Sequence, residues 1–237
     1  GQKNKCLFCG DRGTSIFFQS RSPEMVYRQL VSLSEKYKIL DFFFVDNILD
    51  TRYIKSLFPK LFKNEIDFTI FCEVRPTLTF EQLQTLRQAG VKTIQAGIES
   101  LSTPILKMIQ KGTSAIDNIR FLRNCAQTGI KVLWNLLYGL PGENQGEYEK
   151  MADKMLSLTH LSPPISACHK FHLDRYSIYH ENPAKYSIER VRPAKFYKYI
   201  YPLDQNVLND LAYFFDFEYS DSRNPEEYIA NFKKISE

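Results

Sequence analysis

Cys6-Leu7-Phe8-Cys9-Gly10 is the stretch of this chain with the clearest capacity for chemistry. Two thiolates three positions apart can grip one metal ion or cluster because the loop between them folds back, and the following glycine lets backbone approach closely. On spacing alone the pair has three readings: metal ligands, a redox couple, or a structural pair. Zinc would want a second close pair, yet Cys72, Cys125 and Cys168 are singletons. A redox couple would normally sit between a strand and a helix start. The three single cysteines read as small buried or half-exposed thiols, not as ligands.

A cysteine loop needs a scaffold that brings other side chains to it. From Pro23 to about Lys195 short β-rich runs alternate with amphipathic helical stretches, the rhythm of consecutive βα units and a parallel sheet. Ser22 caps a helix beginning at Pro23, with Val26, Leu30, Leu33 and Tyr37 at helical spacing. A buried strand is expected over Asp41 to Val45, a helix over Tyr53 to Phe62, and a strand over Asp67 to Glu73. Thr79-Phe80-Glu81-Gln82 opens the next helix as a capping box, and Gly90 ends it. Val91 to Gly97 and Lys131 to Leu137 read as strands, separated by helical segments at Pro104 to Ile109 and Ser114 to Thr128. A turn at Tyr138 to Gly142, a helix over Glu147 to Leu158 and a last strand over Lys170 to Leu173 follow.

Strands joined in this way curl into an open or closed α/β barrel or lie flat as a doubly wound sheet, and in both the function sits at their carboxyl ends. That rule selects Asp46, Asn47, Glu73, Arg75, Glu99, Ser100, Tyr138, Asp174 and Arg175 before any motif is considered. Beyond Arg175 the rhythm fades into many aromatics and the prolines Pro183, Pro193 and Pro202, with a short helix expected at Leu208 to Phe215. The expected organisation is therefore a core over 1–175 and an extension over 176–237 packed on it.

Composition narrows the classes. At 237 residues, with 43% hydrophobic and 24% charged side chains, the chain is globular and long enough for a sizeable core. Its 31 basic and 27 acidic residues are spread along the length, so no basic stripe announces nucleic acid. The longest apolar candidate, Ile39 to Val45, is interrupted by Asp41 and falls short of a membrane span. Uneven cysteine spacing argues against a disulfide framework and for a reducing, cytoplasmic setting. The abrupt opening Gly1-Gln2-Lys3-Asn4-Lys5 reads as the start of a piece cut from a longer polypeptide.

The cysteine loop resembles the latter part of the cluster motif of radical S-adenosylmethionine enzymes, in which an aromatic residue, here Phe8, precedes the last of three cysteines. The wider sequence resembles the cobalamin-type members that mature ribosomally synthesised peptides, the RiPP maturation radical SAM group. In that group the first cysteine stands well ahead of the second, and the end of the spacer between them matches Gly1 to Lys5. The likeness covers nearly the whole chain: Phe18 to Glu24, Val45 to Asp50, Gln95 to Ser102, Trp134 to Glu143, Leu173 to Tyr176 and Tyr201 to Asp204.

The resemblance implies a partial (β/α)6 TIM-like barrel lacking its first strand, with Cys6 and Cys9 as ligands of a 4Fe–4S cluster whose remaining cysteine lies three positions ahead of Gly1. On its own, such a piece is expected to be inactive. It implies S-adenosylmethionine as cofactor, cobalamin bound by an upstream domain, a one-electron reductant and a precursor peptide as partners, and C-methylation as the reaction. Epimerisation or ring formation on the same scaffold, and a non-catalytic zinc or redox module, are the alternatives. By the same resemblance Asp46 and Asn47 meet the methionine amino group, while Gln95, Glu99 and Ser100 end the strand that reaches the ribose and amino-acid part. Ser100 reads equally as a helix cap.

Alternation points Asn135 into the barrel, as a cofactor contact or as a buried amide satisfied by backbone. The Tyr138 turn could lay backbone against adenine or be a plain turn. Glu73 and Arg75 form either a salt bridge across the mouth or a contact with the cofactor carboxylate. His172, Asp174 and Arg175 are candidates for orienting a peptide. The C-terminal aromatics read as core or as a peptide groove.

Overall fold

In the computed structural model the described residues are 6–10, 18–166 and 168–236, so the Gly1 to Lys5 segment that carries part of the resemblance lies outside them. Five strands form one parallel half-barrel sheet in the order β1-β2-β3-β4-β5: β1 Asp41–Phe43, β2 Thr69–Val74, β3 Val91–Glu99, β4 Lys131–Tyr138 and β5 His169–Lys170. The crossovers carry helices α1 Pro23–Tyr37 ahead of the sheet, then α2 Arg52–Lys55, α3 Leu57–Lys63, α4 Phe80–Gln88, α5 Thr103–Met108, α6 Ala115–Thr128 and α7 Gly146–Leu156. This is a partial TIM-like barrel, one of the two arrangements left open by the βα rhythm and the one that the family resemblance implies.

Each central strand alternates because the sheet is covered on one side. Ile70, Cys72 and Val74 of β2, Ile94, Ala96 and Ile98 of β3, and Val132, Trp134 and Leu136 of β4 are buried in one core with Leu83, Leu86, Phe121, Leu122 and Met151 of the helices. Each of the larger aliphatic and phenylalanine side chains among them contributes about 1.5–3 kcal/mol when removed from water. The intervening residues face the concave side and stay half-exposed. Gly90 makes the entry to β3 possible: its φ is +91°, and a Cβ there would lie 1.9 Å from the Phe68 carbonyl oxygen.

Helix starts follow their caps. Ser22 accepts from the Met25 amide at 3.3 Å, and Thr79 and Gln82 exchange the two bonds of the expected capping box. Several expectations need correction. The strand at Asp41 is not buried but exposed: it stands at the sheet edge, Phe43 is 66% exposed and stacks on Phe71 with ring centroids 4.1 Å apart, and Val45 is 84% exposed. The helix at Tyr53 to Phe62 breaks at Ser56, because Pro59 lacks an amide proton and its ring would collide with the Lys55 carbonyl. The last strand divides. His169 and Lys170 pair with β4, whereas Leu173 and Asp174 belong to a second, antiparallel sheet.

That second sheet has the order β6-β8-β7, with β6 Leu173–Asp174, β7 Ile188–Pro193 and β8 Phe214–Tyr219. Around it lie α8 Ile178–Glu181, α9 Tyr197–Ile200, α10 Gln205–Leu211 and α11 Pro225–Ser236. The helix expected at Leu208 to Phe215 is thus shorter, and its end is the strand β8, whose Phe-Phe-Asp-Phe-Glu-Tyr sequence suits a pleated surface. Among the described residues no helix is long and apolar enough to cross a membrane.

Candidate functional site

A cavity of about 340 Å³ opens where β2 and β3 end, and the cysteine loop forms one wall of it through Cys6, Phe8 and Cys9. Asn47 enters from the loop after β1, Glu73 and Arg75 from β2 and its exit, Gln95, Gly97 and Glu99 from β3, and Lys111 and Thr113 from the loop after α5. Pleat and register explain the gathering. Glu73 pairs with Gln95 across the ladder, and every second residue from each points to the same concave face.

The end of β3 is locally distorted. The ladder to β4 slips between Ala96 and Glu99, and Glu99 sits at φ +62°, a left-handed conformation costing on the order of 1 kcal/mol for a residue with a Cβ. Asn118 holds the distortion by donating to the carbonyls of Ile98 at 3.1 Å and Ser100 at 3.0 Å. Its effect is to turn the Glu99 carboxylate onto Lys111 Nζ at 2.9 Å, both side chains being only about 15% exposed. Gly97 lies beneath this pair: a Cβ would stand 2.7 Å from Lys111 Nζ and 3.1 Å from Glu99 Oε1. Lys111 Nζ also lies 5.7 Å from the Phe8 ring centroid.

The cysteine loop is fixed at both sides. The Leu7 amide donates to Ile109 at 3.0 Å, the Tyr179 amide donates to the Leu7 carbonyl at 3.1 Å, and Leu7 is buried. A side chain at Gly10 would run into the Arg175 carbonyl and the Tyr213 hydroxyl. Burial pushes the Cys6 thiol above its ordinary value; Lys111 and Arg75 pull it down and Glu99 pushes it up. Cys72 and Cys125 lie in the core and burial pushes both to about 12, which keeps them protonated.

Of the residues selected from sequence, the cavity brings together Cys6, Phe8, Cys9, Asn47, Glu73, Arg75, Gln95 and Glu99. Asp46 is exposed beside Asn47 and does not line it. Ser100 is buried, accepts from the Ser102 amide at 3.1 Å and lies 3.3 Å from Met151 Sδ. Asn135 is half-buried on the concave face of β4, outside the cavity. Tyr138 points to the helical layer, where its hydroxyl donates to Glu226 at 2.8 Å and accepts from Lys233 at 2.8 Å. His172 lines a different cleft, and Asp174 and Arg175 belong to the second sheet and its edge, Arg175 donating to the carbonyls of Ala212 and Asn209.

Three residues escaped the sequence reading. Lys111 and Thr113 sit in a Lys-Gly-Thr-Ser loop before a capped helix, and the glycine was the available signal. The Thr113 hydroxyl is buried with no hydrogen-bond partner. Glu143, buried behind the Tyr138 turn, accepts from the amides of Gly139 and Leu140 at 2.8 Å each, from Tyr148 at 2.5 Å and from Tyr228 of α11. Burial raises its carboxyl against these four bonds, which favour the charged form.

A second cavity of about 320 Å³ shares Ile48, Val74, Arg75 and Thr77 with the first and is closed by Asp50. Arg52 hydrogen bonds hold the Asp50 carboxyl down at about 2, against an ordinary 3.8. The stability this provides is complete above the unfolded value and is lost as pH falls from about 4 towards about 2. Such a lowering is worth at most about 2.5 kcal/mol, and because the guanidinium is 71% exposed, solvent screening trims it to about 1 kcal/mol. Asp50→Asn should therefore lose about 1 kcal/mol in urea melts at neutral pH and converge with the wild type in acid. A constant gap across that range would contradict the assignment.

A third thiolate for a cluster is not supplied here: among the described residues no group of three or more His, Cys, Asp or Glu side chains is arranged to hold a metal ion. The donors that are present, two thiols and an orphaned hydroxyl around a polar cavity, suit part of a thiolate-held cluster with a polar ligand beside it.

An uncharacterized methyltransferase of Pyrococcus horikoshii is 26% identical over 160 residues, 63% of this chain and 34% of that protein. The radical S-adenosylmethionine methyltransferase TsrM of Kitasatospora setae, solved with cobalamin and a 4Fe–4S cluster, superposes with a TM-score of 0.60 at 19% identity, over 74% of this chain and 34% of TsrM. The cobalamin-dependent radical enzyme OxsB, solved with aqua-cobalamin, superposes with a TM-score of 0.58 at 20% identity, over 75% of this chain and 28% of OxsB. The chain thus spans about a third of the length of these relatives. The model of the Radical SAM superfamily matches residues 3–155, from the cysteine loop through the strands that build the cavity and on to α7, and the chain belongs to that superfamily.

Proposed function

We propose that this chain is the core of a radical S-adenosylmethionine enzyme that C-methylates a ribosomally synthesised precursor peptide, with cobalamin bound elsewhere in the complete polypeptide. The observation that carries the cofactor part is the convergence of Cys6 and Cys9 with Gln95, Glu99 and Lys111 on one cavity at the strand ends. Cys6 and Cys9 would give two thiolates to a 4Fe–4S cluster, which in its reduced form supplies the electron for cleaving the carbon–sulfur bond of S-adenosylmethionine. Metal ligation would displace the proton that burial keeps on Cys6.

The remaining residues bind and orient. Asn47, Glu73 and Gln95 offer amide and carboxylate acceptors for an ammonium or hydroxyl, and the Thr113 hydroxyl offers the partner that the protein leaves open. Lys111, held by Glu99, brings a cation to the wall where a carboxylate would be received. Methylation is favoured over other radical outcomes by the likeness to TsrM and to the archaeal methyltransferase. The peptide substrate rests on the sequence resemblance.

The test uses the complete polypeptide, reconstituted with iron, sulfide and cobalamin, reduced, and given S-adenosylmethionine labelled in its methyl group with the cognate precursor peptide. Label on a peptide carbon is expected. Cofactor cleavage with no label transfer would favour epimerisation or ring formation, and an unmodified peptide beside a methylated small molecule would remove the peptide reading.

A further inference from the structure

The barrel sheet hands over to the antiparallel sheet between Lys170 and Leu173, and a cleft of about 430 Å³ opens at that transition. The cations Lys170, Arg192 and Lys195, with the His172 imidazole among them, stand around it against one lining carboxylate, Asp216. Asp216 is already engaged, accepting from the Lys195 amide at 3.1 Å. The cations are only partly compensated from outside: Arg192 shares the Glu218 carboxylate with Arg190, at 3.1 and 2.8 Å, and Lys170 comes no closer than 3.8 Å to Glu226.

The floor is apolar, with Phe171 and Phe215 buried beneath the charges. Phe196, 44% exposed, forms part of the rim and leads onto Tyr199 and Ile200, which are 88% and 59% exposed. An anion with apolar neighbours fits such a surface, because the charges need a counter-charge and the rings need cover.

We propose that this cleft docks an acidic segment of a peptide in which carboxylates alternate with aromatic or aliphatic side chains. This rests on the reading that the chain acts on a peptide and adds how that peptide is held away from the reacting centre. The cleft lies at the carboxyl end of β5, and the cavity at the carboxyl ends of β2 and β3, so both open on the same rim of one parallel sheet. The Gly10 end of the cysteine loop packs against Arg175 and Tyr213 of the region that builds the cleft. A nucleic acid suits it less well: Asp216, Glu218 and Glu226 interrupt the cations, so successive phosphates would meet carboxylates, whereas phosphate-backbone recognition requires a basic track.

The test is a fluorescence-anisotropy titration of the chain with a labelled synthetic peptide of alternating glutamate and phenylalanine. A lysine–phenylalanine peptide and a hexameric oligouridylate serve as comparisons. The acidic peptide should bind in preference to both. Lys195→Glu and His172→Glu, both exposed positions, should each weaken it by about fivefold to tenfold while thermal melts stay unchanged. Affinities within about twofold of wild type in both variants, equal binding of the lysine peptide, or tighter binding of the oligouridylate would each overturn the proposal. Cofactor cleavage by the complete polypeptide, measured in parallel, keeps the two readings apart. Its absence would count against the radical enzyme, whereas intact cleavage with unselective peptide binding would count against the cleft alone.

Discussion

Cys9→Ala in the complete polypeptide, reconstituted with iron and sulfide, is expected to remain colourless and to release no 5'-deoxyadenosine under reduction. Cys9 lines the cavity with Cys6, and the loop that carries both is locked by Leu7, whose amide and carbonyl are bonded to Ile109 and Tyr179. The variant should therefore fold normally and lose only the thiolate. Removing residues that merely orient a metal ligand costs roughly 10–100-fold, so removing the ligand itself should reduce cofactor cleavage by more than about 100-fold. Visible absorption, acid-labile sulfide and chromatography of the nucleoside product measure the three consequences. Persistent cleavage in the variant would remove the cluster from this loop.

Glu143 should dominate stability in the same way that Cys9 dominates chemistry. Its carboxylate is 4% exposed and receives four donors from three parts of the chain: the turn after β4, α7 and α11. Glu143→Ala would leave two amides and two phenols without their acceptor in a dry site, at about 1–3 kcal/mol for each donor left unsatisfied. Relaxation and water entry recover part of that sum, and a net loss of about 3–5 kcal/mol is expected in urea or thermal unfolding. Tyr228→Phe, which removes one donor and keeps the ring, should lose only about 1 kcal/mol. A Glu143→Ala protein within about 0.5 kcal/mol of wild type would mean that this cluster is not closed in solution.

The parallel sheet was legible from the sequence because its signals are local. Caps at Ser22 and Thr79, and the alternation of β2, β3 and β4, each lie within a few residues of the element they specify. The departures arise where tertiary context decides. The apolar run at Asp41 looks buried, but at the sheet edge its concave side is exposed. Lys170 to Leu173 looks continuous, but two sheets compete for it, and the register with β8 exists only once the chain has returned some 40 residues later. Within the site, Glu73 and Glu99 could be selected because strand ends follow from strand positions, whereas Gln95 was marked only by the family resemblance. For Lys111 the adjacent glycine marked only a loop, since its contact with the site depends on the left-handed turn of Glu99, which no pattern of residue types announces. Tyr138 shows the opposite failure: it ends a strand, yet period-two geometry sends its ring to the outer layer and onto α11.

The Glu99–Lys111 contact also sets how the molecule should respond to ionic strength. Mobile ions screen exposed charges over a Debye length of about 8 Å in physiological salt, but they do not enter a pair whose two side chains are about 15% exposed. Surface contacts such as Arg28 with Glu24 and Arg190 with Glu218 lie in the screened regime. Rising salt thus loosens the periphery first and leaves the charge pattern beside the cysteine loop in place, so a buffer series distinguishes interactions made at the rim from those made inside.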